Sequence, residues 1–142
     1  MFDVETVMQS IRDEIQKKNI TTSKQYFTTS YYEQRIRECR EKKNIIIFGT
    51  GKNGQILYSA LQQEGISSIK GFCDNAKEKQ GTLVSDMPVY SVEEALKQFP
   101  DAYFIVTVSR YENEILRQLI KLKVSVDNIA LFIMKYSGLT EV

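Results

Sequence analysis

Asn44-Ile45-Ile46-Ile47-Phe48-Gly49-Thr50-Gly51-Lys52-Asn53-Gly54 decides the fold. Ile45 to Phe48 is an apolar, mostly β-branched run, too short for a helix, and reads as a strand buried on both faces. Three glycines follow at once, in the spacing G-x-G-x-x-G. Behind them Gln55 to Leu61 has helical periodicity, with Ile56, Leu57, Ala60 and Leu61 on one stripe. Each glycine has a physical job in this strand, turn and helix. Gly49 permits the tight turn, Gly51 lets a pyrophosphate approach the backbone, and Gly54 lets the helix pack close to the strand. The amide groups at the helix start then face the phosphates, with the positive end of the helix dipole behind them.

An acid is expected about 20 residues on, at the end of the second strand, to hold a ribose hydroxyl. Ile69-Lys70-Gly71-Phe72-Cys73 reads as that strand, and Asp74 ends it, twenty positions after Gly54. Further along, Met87-Pro88-Val89-Tyr90 reads as a short extended segment that Pro88 limits to an edge. Ser91-Val92-Glu93-Glu94 is a capping box opening a helix to about Gln98. Ala102 to Val108 is the second strong buried strand. Ser109-Arg110-Tyr111-Glu112 reads as another capping box, opening a helix over 110–122, and Ile129 to Phe132 is the last strand. Alternating strands and helices predict an α/β, Rossmann-like three-layer sandwich with a mostly parallel sheet in order 3-2-1-4-5. That order places a crevice between the first and fourth strands. Gly49 to Gly54 line one side, Val108 to Tyr111 the other, and Asp74 flanks it.

Ahead of this unit lie two helical patterns, 3–18 and about 24–42, which the α/β fold does not need. They predict a division into an N-terminal helical hairpin, 1–43, and a nucleotide-binding domain, 44–142. Tyr26, Phe27, Tyr31 and Tyr32 put four aromatics within seven residues. That density fits either packing on the sheet or a homo-oligomer surface.

Bulk properties narrow the function. The 142 residues suit one domain, with 42% hydrophobic and 26% charged content. A net charge of +1 gives no broad basic field, so no nucleic-acid partner is expected. No apolar stretch is long enough to span a bilayer, and the N-terminus lacks the apolar core of a signal peptide, so a cytoplasmic location is expected. The chain has no histidine and two cysteines, Cys39 and Cys73, which read as free thiols; no metal site is expected. None of the eight tyrosines has a lysine four positions later. G-x-S-x-G, C-x-x-C and P-loop motifs are absent, and no catalytic residue can be named. The candidate binding residues are Gly49, Thr50, Gly51, Lys52, Asn53, Gly54, Asp74, Asn75, Ser109 and Arg110. Lys52 inside the loop could neutralise a phosphate, and Arg110 could reach the same crevice.

Phe48 to Gly54, then Gly71-Phe72-Cys73-Asp74-Asn75, Gly81, Met87 to Glu94 and Tyr111 to Leu119 resemble a recurrent Rossmann-like domain. That domain lies N-terminal in polysaccharide-biosynthesis sugar-nucleotide dehydratases and epimerases and in sugar acetyltransferases. The resemblance covers about 44–132 and implies binding of NAD(H) or a sugar-nucleotide, through Gly49, Gly51, Gly54 and Asp74, in sugar-nucleotide or surface-polysaccharide metabolism. No catalytic domain follows, so the chain reads as a stand-alone module or a fragment of a longer enzyme. Two other readings stand beside it. One is an interaction domain with a degenerate site. The other is an accessory domain of an S-adenosylmethionine methyltransferase, disfavoured because Ile47 stands where such loops usually carry an acid.

Overall fold

The computed structural model describes residues 5–11, 13 and 30–132. Six strands form one sheet: β1 (Ile45–Phe48), β2 (Ile69–Cys73), β3 (Leu83–Val84), β4 (Met87–Tyr90), β5 (Tyr103–Val106) and β6 (Ile129–Leu131). The order is β3-β4-β2-β1-β5-β6. Leaving β3 aside, this is the expected 3-2-1-4-5 order, and every pairing in that set is parallel. Helices α1 (Ser30–Arg40), α2 (Lys52–Gln63), α3 (Val92–Gln98) and α4 (Glu112–Lys121) cover the sheet. Residues 5–11 are also helical.

The central strands are apolar throughout because both their faces are covered. All four residues of β1 and all four of β5 are buried. Alternate side chains then feed two separate cores. Ile45 and Ile47 join Ile36 and Cys39 of α1 and Leu57, Tyr58 and Leu61 of α2. Ile46 and Phe48 join Val92 and Ala95 of α3, Ile115, Leu116 and Leu119 of α4, and Met8. The result is three layers, as expected.

Three details differ from the sequence reading. The buried stripe of α2 is Gly54, Leu57, Tyr58 and Leu61; Leu57 and Leu61 are as expected, while Ile56 and Ala60 are only half-buried. Segment Met87–Tyr90 is not an edge. Leu83–Val84 pairs antiparallel outside it, and Val89 carries the bonds on that side, donating its N–H to the Thr82 carbonyl at 3.0 Å and accepting from Gly81 N–H at 2.9 Å. Pro88, with no N–H to give, is bypassed. The Ser91 capping box is present, whereas that at Ser109 is not: α4 starts two residues later, with Tyr111 as its N-cap and no side-chain cap. Tyr26 and Phe27 lie outside the described residues, as does half of the 3–18 pattern.

Candidate functional site

The site is built where β1 ends. Gly49 leaves the strand with φ of +123°, a conformation that a side chain would strain, and a Cβ there would run into the Thr107 hydroxyl. Its N–H donates to the Cys73 carbonyl at 2.9 Å, which ties the loop to β2. Gly54 is needed for a different reason, since a Cβ would collide with the Gly49 carbonyl. Thr107 pins the other side. It is buried, and both its N–H (3.0 Å) and its hydroxyl (2.9 Å) donate to the Phe48 carbonyl.

Gly51 is different. Its φ is −79°, open to any residue, and a Cβ there would meet nothing within 4 Å. It is the N-cap of α2, with no side chain to cap the helix, and the first turn carries no acid. The first N–H groups of any helix lack partners within it. In α3 the Ser91 side chain supplies one, and in α4 two acids, Glu112 and Glu114, sit in the first turn. The start of α2 thus offers N–H groups and a positive dipole end beside a glycine with open space.

Asp74 ends β2 as expected and reaches back to the loop. Its Oδ2 accepts from the Thr50 N–H at 3.2 Å and from the Thr50 hydroxyl at 2.6 Å. Its Oδ1 accepts from the Ala76 N–H at 2.9 Å. Gln55 of α2 donates to the Thr50 carbonyl and Gln80 to the Asp74 carbonyl, each at 2.9 Å. Asn75 pairs with Gln118 of α4 through two reciprocal amide hydrogen bonds, of 2.8 and 2.9 Å.

The candidates therefore separate into groups. Thr50 and Asp74 are joined by hydrogen bonds at the carboxyl ends of β1 and β2, Gly49 is tied to Cys73, and Gly51 and Gly54 lie on the same loop and the start of α2. Asn75 turns to α4 instead. Lys52 is exposed and Asn53 half-buried at the start of α2. Ser109 and Arg110 are exposed on the turn after β5, the strand that pairs with β1. Tyr111 beside them is 51% exposed, so this turn presents an aromatic ring and a guanidinium at the surface. Thr107, Gln55, Gln80 and Gln118 escaped the sequence reading. Their roles come from pairings such as the 59-residue separation of Thr107 and Phe48, which no local motif encodes.

Residues 41–130 match the family model described as C2185-like, N-terminal. The chain belongs to that family. The C2185-like stretch spans β1 to most of β6 and so contains all of these residues. A sequence search of curated proteins finds no match. Among solved structures the chain is similar to RSP, a Rex-family repressor, at 14% identity and a TM-score of 0.54, covering 97% of this chain and 88% of that one. It is similar to RSP in complex with β-NAD+ and operator DNA, at 18% identity and a TM-score of 0.52, covering 78% and 59%. A complex of RSP with β-NADH gives 18%, 0.51, 78% and 63%. In these two complexes this chain spans less than two thirds of RSP's length. These likenesses establish the Rossmann-like fold, and they carry the fold part of the resemblance without its polysaccharide-enzyme part.

The expectation of no nucleic-acid partner is corrected here. A protein of this fold has been solved with operator DNA, and a net charge near zero describes the sum of charges without describing their placement on a face. Among the described residues no helix is long and apolar enough to cross a membrane.

Proposed function

We propose that this chain is a nucleotide-binding module whose ligand is NAD(H), held at the Gly49–Gly54 loop. The observation that carries the proposal is Gly51. Nothing in the protein's own packing requires a glycine there, yet the position is open and lies against uncapped helix amides. A pyrophosphate is the group that fits such a cradle. Gly49 and Gly54 shape the loop, the N–H groups of Lys52 and Asn53 face the phosphates, and the Lys52 ammonium adds charge. Asp74 and Asn75 stand on the ribose side, and Ser109 and Arg110 line the far rim. The NAD+ and NADH complexes of RSP support the choice of dinucleotide. We take residues 44–142 as the binding domain and 1–43 as an N-terminal helical hairpin, a boundary close to the start of the family match at residue 41.

The test is thermal denaturation with NAD+, NADH and a UDP-sugar. A ligand at 100 times its dissociation constant adds about 2.7 kcal/mol, a shift of several degrees for a domain of this size. NAD+ or NADH should produce it, and Gly51→Leu should abolish it. A shift with the UDP-sugar alone would replace the dinucleotide with a sugar-nucleotide and restore the link to sugar metabolism. No shift with any of the three would overturn nucleotide binding. A nucleic-acid partner is the second reading, favoured by the operator DNA in the RSP complex. Retention of a duplex in a gel-shift assay would support it.

A further inference from the structure

We propose that Thr50 competes with the ligand for Asp74, and so sets the affinity of the site for a ribose. The inference rests on the nucleotide reading above. An ionised carboxylate is an acceptor with about four lone-pair positions on its two oxygens. Three are already used inside the protein: the Thr50 N–H and hydroxyl on Oδ2, and the Ala76 N–H on Oδ1. A ribose diol brings two O–H donors, and one position remains.

The three internal partners are not equally movable. Thr50 and Asp74 are both fixed along the backbone, because Gln55 holds the carbonyl of the first and Gln80 that of the second. The Thr50 and Ala76 N–H groups are part of that fixed backbone. The Thr50 hydroxyl turns on a single side-chain bond, so it is the partner that can leave. It also makes the shortest of the three bonds, 2.6 Å, inside the normal range for a hydroxyl on a carboxylate. A ribose hydroxyl therefore exchanges for the Thr50 hydroxyl on Oδ2, one charge-assisted bond for another. Affinity for the ribose is the difference between the two, and removing the competitor should raise it. Thr50 is buried, so valine, with the same shape and no donor, is the matched replacement.

The experiment is calorimetric titration of the parent protein and Thr50→Val with NAD+, ADP and 2′,3′-dideoxy-ADP. Thr50→Val should bind NAD+ and ADP about tenfold more tightly, equivalent to about 1.4 kcal/mol. It should bind the dideoxy nucleotide, which has no diol, as the parent does. Thr50→Ser restores the hydroxyl and should bring the affinity back toward the parent's. If Thr50→Val does not fold, Thr50→Ala removes the same donor. Should the parent bind NAD+ while the hydroxyl-free variant binds it no more tightly, the competition is refuted and the nucleotide site stands. An equal gain for the dideoxy nucleotide would also refute it, since the effect would then lie in the loop as a whole. If neither parent nor variant binds any of the three, the nucleotide reading fails, and the competition fails with it.

Discussion

Gly51 and Gly54 stand three positions apart and answer to different constraints. Gly54 is held by the protein's own atoms, since any Cβ meets the Gly49 carbonyl. Gly54→Ala should therefore cost at least about 2 kcal/mol, through displacement of α2 from β1, read as a lower midpoint in urea. Gly51→Ala should cost less than about 1 kcal/mol, the ordinary penalty of a poorer N-cap. If both substitutions cost the same, the open space at Gly51 is not real in solution. The sequence made this distinction half visible. The spacing located all three glycines, and the twenty-residue interval located Asp74. It could not reveal that the Asp74 carboxylate bonds to Thr50, because that contact depends on how far β2 runs beside β1. Gln118 was hidden for the same reason. Its partner Asn75 lies 43 residues away, and only the packing of α4 brings them together.

Elements ended where local chemistry was explicit and drifted where it was not. The Ser91 box works as read, with the serine hydroxyl accepting from the Glu94 N–H at 3.1 Å. The same letters at Ser109 do not cap a helix. There the chain leaves β5 through Thr107, which is drawn inward onto Phe48, and the turn closes through the Ser109 carbonyl instead. The β3–β4 hairpin gave no signal because β3 has two residues and its turn uses Ser85 and Asp86 at φ of 52° and 64°, where Asn-Gly would be expected. Helix ends offer a quantitative contrast. α2 and α4 both finish in a Schellman motif, with Ile66 N–H bonded to Leu61 and Val124 N–H bonded to Leu119. In α2 the left-handed residue is Gly65; in α4 it is Lys123, at φ of 66°. Lys123→Gly should stabilise the protein by about 0.5–1 kcal/mol, relief of the left-handed strain less the flexibility glycine adds to the unfolded chain. A melting point raised by a few degrees would bear this out, and a lowered one would show that the lysine side chain makes an offsetting contact.

The described residues form one sheet with a core on each side, and the chain contains no histidine. Its stability should therefore change little through neutral pH and fall on the alkaline side. Burial pushes the Cys39 thiol up to about 11 from an ordinary value near 9, and the nearby Arg35 guanidinium only partly offsets this. Burial also raises Cys73 and Tyr103. A group whose folded value is raised stabilises the fold in its protonated form. That contribution is complete below the unfolded value and is lost as pH climbs through the folded one. Chemical denaturation should show stability falling from about pH 9 to 11, and the slope should lessen in Cys39→Ala measured against its own neutral-pH stability. The two thiols also lie in different cores on opposite sides of the sheet, Cys39 on α1 in the core shared with α2, Cys73 on β2 in the core shared with α3 and α4. Each reacts with an alkylating reagent only when its own layer parts. The chain thus carries two internal clocks, and single-cysteine variants would time the breathing of each layer separately. Equal rates would mean that the sandwich opens as one unit, and unequal rates would identify the side that lets go first.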